Sequence, residues 1–249
     1  MTFRNTLRGK PHLRVENATI ATSKYFLPVY FYSSSATIVE LNATNFVELR
    51  SHGSNVSISG SRLDSLYVWG SSIVTLSNSI VRNLCSELSD VTVSNCTIGW
   101  LSGLDSNKVK ALNSTIKDEL KLRGQCVVWL MNSTSTHYNL SGGGAIYIYW
   151  YLNVHAVDSE GTDVSYANVT AIFPNATVAE SELADAQGWA KLTLMERLMT
   201  ASGSHPVGNY TVTAKYKTYE GQKSVNITGN QQITIILSYS QRIKPEPFP

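Results

Sequence analysis

Eleven asparagines of this chain begin Asn-X-Ser/Thr triplets: Asn17, Asn42, Asn55, Asn95, Asn113, Asn132, Asn139, Asn168, Asn175, Asn209 and Asn226. None has proline in the middle position. The triplet is the acceptor for N-linked sugar, where the side-chain amide is the nitrogen modified. Chains rich in Ser and Thr form it by accident, here roughly three or four times. The excess points to a glycosylated exterior.

Other chemistry is sparse. Polysaccharide cleavage needs two carboxylates facing one groove. Glu87, Asp90 and Asp105 are the acids whose spacing could cluster them, while Asp118 and Glu119 fall elsewhere. Turn-capping is the more ordinary role for such acids, and no Lys or Arg stands at a matching position. His12, His52, His137, His155 and His205 lack the spacing of a metal site or a catalytic triad. Trp69, Trp100, Trp129, Trp150 and Trp189 form no regular sugar-stacking strip. Cys85, Cys96 and Cys126 fit no zinc pattern. One disulfide with a spare thiol, or three small buried side chains, would both suit them. Gly142-Gly143-Gly144 lacks the Lys-Ser/Thr of a phosphate loop. No catalytic, cofactor or metal residue is therefore assigned.

These residues sit on a repeat. Asn17, Asn42, Gly60, Asn78, Asn95, Asn113 and Asn132 occupy one slot, repeating about every 18 residues. Four residues earlier stand Leu13, Ile38, Val56, Val74, Val91, Val109 and Val128. Two residues earlier stand Val15, Glu40, Ile58, Leu76, Val93, Ala111 and Leu130. Apolar residues two apart with polar ones between describe half-buried strands. One such coil cannot bury its inner face, but stacking sets each apolar residue on its equivalent. The pattern predicts a parallel β-helix of about seven coils, with the slot asparagines as an internal amide ladder. An evenly spaced β-sandwich would supply the strands but not the in-register apolar columns.

The ladder conflicts with the triplets. Asn17, Asn42, Asn95, Asn113 and Asn132 lie in the slot, and an inward asparagine cannot carry sugar. Either the slot faces outward at a turn, or those triplets are by-products of the repeat, the reading favoured for Asn95 and Asn113. Asn55, Asn139, Asn168, Asn175, Asn209 and Asn226 are the glycosylation candidates.

Length and composition agree with an exterior setting. The 249 residues allow one large or two ordinary domains, charged residues are 15%, and net charge is +2. No strong electrostatic partner is implied. Arg4, Arg8, Lys10 and Arg14 read as a solvated arm, not a nucleic-acid patch. The apolar run from Ala145 to Val157 is too short to span a bilayer. The N-terminus has no signal-peptide core, so an exported chain would be a mature or excised segment.

After Ser141-Gly142-Gly143-Gly144 the pattern changes. Alternating segments near 145–157, 167–173, 189–194, 208–216 and 233–237, with regular turns, predict an immunoglobulin-like sandwich. The domains expected are 1–141 (β-helix with N-terminal cap), 142–240 (sandwich) and 241–249 (Pro-rich linker). Val157-Asp158-Ser159-Glu160-Gly161, Ala167-Asn168-Val169-Thr170, Gly188-Trp189-Ala190 and Gly208-Asn209-Tyr210-Thr211-Val212 resemble the carboxypeptidase-regulatory-like (transthyretin-like) domains. That resemblance implies a stalk or spacer, and the first strand lacks the Lys of an internal isopeptide. The first half is similar to the pectate-lyase-like β-helix superfamily in its asparagine ladder. Together they resemble an archaeal cell-surface or S-layer-type protein.

The expectation is an all-β, non-enzymatic, extracellular structural or adhesive protein without cofactor. Its partners would be further copies, other surface proteins or glycans, with no nucleic acid and no membrane span. Ile233–Leu237 would offer an edge for pairing between copies. The alternatives are a carbohydrate-active β-helix enzyme (lyase or glycosidase) and a carbohydrate-binding receptor module.

Overall fold

The computed structural model describes residues 12–16, 19–21, 27–32, 35–105 and 107–239. Arg4, Arg8, Lys10, Asn17 and the 241–249 segment lie outside the described residues. The chain is all-β and separates into two units, Met1–Ile148 with Leu198–His205 and Tyr149–Arg197 with Pro206–Pro249.

The first unit is a parallel β-solenoid of about six turns. One sheet stacks His12–Glu16, Ser35–Val39, Asn55–Ser59, Ile73–Ser77, Asp90–Ser94, Lys108–Leu112 and Val127–Met131 in parallel. The other stacks Thr19–Ala21, Asn42–His52, Arg62–Trp69, Ile80–Glu87, Thr97–Leu104 and Thr115–Arg123. Strands form because side chains alternate between core and solvent, as in Lys108–Leu112, where Val109 and Ala111 are buried. Register then places like on like: Val56, Val74, Val91, Val109 and Val128 align. So do Ile58, Leu76, Val93, Ala111 and Leu130. In the second sheet Leu49, Leu66, Leu84, Leu101 and Leu120 make a further buried column.

The second coil corrects one expectation. Ile38 pairs with Ile58, and Ala36 with Val56. The slot of that coil is therefore Glu40, not Asn42, which pairs with Arg62 at the start of the second sheet.

The slot itself is a corner facing solvent. Glu40, Gly60, Asn78, Asn95, Asn113 and Asn132 all have φ between 47° and 58°. Glycine and asparagine adopt this left-handed conformation most readily, and that backbone need explains why they interchange there. Asn78, Asn95 and Asn113 are exposed, so the inward amide ladder expected from sequence is not formed.

The internal ladder runs one residue later. Ser61, Ser79, Cys96, Ser114 and Ser133 are all buried. Each N–H donates to the next coil's side chain: Ser61 to Ser79 Oγ at 3.0 Å, Cys96 to Ser114 Oγ at 3.1 Å, Ser114 to Ser133 Oγ at 2.9 Å. Each hydroxyl in turn donates to the carbonyl two residues before it, as Ser79 does to Ser77 at 2.7 Å. Turning the chain inward would strand these backbone amides, and a hydroxyl is the smallest side chain that accepts and donates at once.

The opposite corner repeats the device. Gly53, Ser71, Leu88, Asp105 and Gly124 have positive φ. Ser54, Ser72, Ser89, Asn107 and Cys126 follow them as a second buried column. Ser54 N–H donates to Ser72 Oγ and Ser72 N–H to Ser89 Oγ, both at 3.3 Å. Gly142, with φ 69°, continues this corner, and Ala145 N–H donates to the Cys126 carbonyl.

In the second unit Val178–Leu183, Asn168–Ile172, Asn209–Tyr216, Tyr219–Asn226 and Ser238–Tyr239 form an antiparallel sheet. Leu152, Val154, Ala156, Leu192 and Ile235 pack with Val169, Ala171, Val212 and Ala214 of that sheet in one sandwich-like core. Gln231–Ile236 runs parallel to the Leu152–Val157 stretch. The buried residues of that stretch are Leu152, Val154, Ala156 and Val157.

Candidate functional site

The six candidate asparagines all stand exposed. Asn55 begins a strand of the first parallel sheet, where the alternation that buries Val56 and Ile58 turns it outward. Asn139 extends from Tyr138–Leu140, its Nδ2 donating to Glu119 Oε1 at 3.0 Å. Asn168, Asn209 and Asn226 lie on strands of the antiparallel sheet. Asn209 pairs directly with Asn226 across two of those strands. Asn175 sits in a turn in which its Oδ1 accepts the Thr177 hydroxyl at 2.6 Å and the Thr177 amide at 3.1 Å. Such an Asx turn presents asparagine and threonine of the triplet together at a loop tip.

The slot triplets must be reassessed. Asn95 and Asn113 face solvent, so burial gives no ground for treating their triplets as by-products. Neighbouring slot amides do meet, but on the surface: Asn132 Nδ2 donates to Asn113 Oδ1 at 2.8 Å.

Glu87 and Asp105 lie one register position apart on neighbouring coils, as their spacing in sequence implies. Glu87 is in register with Leu104, and Arg123 occupies that same column one coil further. Asp105 sits one position beyond Leu104, and its carbonyl accepts the Leu88 amide. Counting from the slot missed Arg123 because the second sheet carries a register shift between Ile98 and Trp100. Among the described residues no three His, Cys, Asp or Glu side chains group to hold a metal.

Other groups have local partners. His155 Nε2 lies 2.8 Å from Asp163 Oδ1, and its ring stacks on Trp189 with centroids 4.2 Å apart. His137 Nδ1 lies 3.0 Å from the Asp118 carbonyl. Trp129 stacks on Tyr147, Trp69 meets His52 edge-on, and Trp100 is half exposed in a third place. No disulfide joins Cys85, Cys96 and Cys126. Burial pushes the Cys96 and Cys126 thiols up from their ordinary value, which keeps them protonated and unreactive. Tyr210, buried, donates its hydroxyl to the Met195 carbonyl at 2.7 Å, and burial pushes its phenol up to about 12.

Sequence reasoning missed one feature outright. Tyr216, Tyr219 and Tyr239 with Asp158, Glu160 and Asp163 line a groove of about 680 Å³ in the second unit. These residues are far apart in sequence, and only the pairing of Tyr219 with both Tyr216 and Tyr239 gathers the rings. No helix among the described residues is long and apolar enough to cross a membrane.

No protein-family model matches the chain, and no curated protein does. Among solved structures it is similar to the Bacillus anthracis TIE protein, with 16% identity over 43% of this chain and a TM-score of 0.29. The likeness covers 18% of that protein's length and is too slight to carry an argument.

Proposed function

We propose that this chain is a glycosylated, extracellular surface protein with a structural or adhesive role. One observation carries the reading: all six asparagines singled out from the triplets are exposed, on both units. Asn42, Asn95 and Asn113 add three exposed triplet asparagines. A sugar coat over a hydrogen-bonded solenoid suits a protein that withstands the exterior, and reduced thiols held in the core do not interfere. The sandwich-like unit is assigned to the immunoglobulin-like class, and the pair to the archaeal S-layer type that the sequence resembles. Gln231–Ile236 has one hydrogen-bonded neighbour strand among the described residues, and Ile236 is 60% exposed. Such an edge favours pairing with further copies or other surface proteins.

Cryo-electron microscopy of native material tests the reading. A lattice or fibre with sugar density on these asparagines is the expected result. Bare, isolated monomers would overturn it. Polysaccharide turnover, assayed with Glu87→Gln and Asp105→Asn, would then be the reading to pursue.

A further inference from the structure

The groove of the second unit carries a row of three aromatic rings. Tyr216 is in register with Tyr219, and Tyr219 with Tyr239, so antiparallel pairing turns all three to one side of their sheet. Tyr219 and Tyr239 meet edge-to-face, with centroids 5.9 Å apart and planes at 76°. They remain 45% and 62% exposed, so ring surface stays open beside the contact. A ring meeting another edge-on makes a corner next to the contact, and a small group set in that corner touches both.

Much of the remaining lining is acidic. Asp158 Oδ1 accepts the Glu160 and Thr162 amides at 2.9 Å each, which fixes its turn. Glu160 stands exposed on that turn, and Asp163 Oδ1 lies 2.8 Å from His155 Nε2. These carboxylates and the three rings share one groove of about 680 Å³, a size typical of small-ligand sites. One cation already lies on the aromatic row: Lys217 Nζ is 5.0 Å from the centroid of the Tyr216 ring.

Negative ring faces beside carboxylates select for positive charge. A neutral sugar would stack on the rings but gain nothing from the charge. A primary ammonium is compact and strongly hydrated, and it would surrender that water to enter. A trimethylammonium group has no N–H to satisfy, presents methyls to the rings and keeps its full charge.

We propose that this groove binds a trimethylammonium group, its methyls in the corner of Tyr219 and Tyr239 and its charge balanced by Asp158, Glu160 and Asp163. Lys217 is the chain's own competing cation, lying over Tyr216 and repelling the ligand by like charge. Free solutes and choline lipid headgroups both carry this group. The assignment does not depend on glycosylation or on the surface role.

Choline titrated into the full chain, followed by the ring resonances of Tyr219 and Tyr239, tests it. The control is 3,3-dimethylbutanol, which has the same shape without the charge. Choline is expected to bind at least about tenfold tighter, the size of a desolvated cation–π contact. Tyr239→Leu should weaken choline about fivefold, Tyr239→Phe should preserve it, and Glu160→Gln should weaken it about threefold. Lys217→Asn, which tolerates the positive φ of that residue, should tighten it. Equal binding of the neutral alcohol, a Tyr239→Leu affinity equal to the parent's, or no ring shift at about 50 mM choline overturns the proposal. Phosphatidylcholine vesicles separate the sources. Co-sedimentation that choline competes away supports a headgroup, and choline-induced shifts without co-sedimentation support a free solute. Ring shifts with maltotriose but not with choline would give the groove to sugars and overturn the proposal.

Discussion

The Cys96 amide donates to the hydroxyl of Ser114 in the following coil, 3.1 Å away, and the Cys96 thiol occupies the place that serine takes in neighbouring coils. Ser114→Ala would leave that buried amide without an acceptor. The expected loss is about 1–3 kcal/mol in denaturant unfolding. Cys96→Ser restores the better donor and acceptor and should leave stability unchanged or slightly raised. A Ser114→Ala protein as stable as the parent would remove the ladder from the account of this fold.

Corner backbone makes a separate demand. Glu40 holds φ 53° without the tolerance of glycine or asparagine. Glu40→Gly should stabilise by up to about 1 kcal/mol, whereas Asn113→Val should destabilise by about 1–2 kcal/mol. Thermal unfolding of the two variants, with opposite signs expected, checks this.

Thiol titration of the native protein should be biphasic. Cys96 and Cys126 are 4% and 1% exposed with raised thiols, and Cys85 is half-buried. One equivalent should react ahead of the other two, which should appear only on unfolding. Three equal rates would contradict the buried columns.

At high pH, Tyr210 should become a liability. Its folded value, about 12, lies above the usual 10 of a phenol, so the fold favours the protonated form. That contribution is complete below pH 10 and disappears as pH rises through 12, on the order of 2 kcal/mol. Tyr210→Phe should flatten the alkaline limb of the stability curve between those values; an unchanged limb would show that another group sets it.

Asn209 and Asn226 face each other across two paired strands, with Cβ atoms about 5 Å apart in such a pair. In a glycosylating host, double occupancy should fall below the product of the two single occupancies, measured by glycopeptide mass spectrometry. Asn209→Gln should raise occupancy at Asn226. Independent occupancies would count against the crowding.

The solenoid was legible because burial repeats: Val56, Val74, Val91, Val109 and Val128 reveal the stacking without any structure. The direction of the slot was not, because asparagine has two uses, an amide that can form ladders and a backbone that tolerates positive φ. Gly60 in the same slot was the discriminating signal, since glycine has no amide to contribute. Glu40 escaped because the second coil differs in length and neighbouring Asn42 imitated the slot. The groove of Asp158, Tyr219 and Tyr239 could not be read from sequence, because antiparallel pairing, not periodicity, brings those residues together.

A corner made of one left-handed residue and one hydroxyl has a consequence for ancestry. Each coil addresses only the coil before and after it, through the same two contacts at the same two corners. Removing or duplicating a whole coil would rejoin equivalent donors and acceptors without disturbing the rest. Length is then a heritable variable that changes by whole coils, and chains of this design can be lengthened or shortened by a single recombination event.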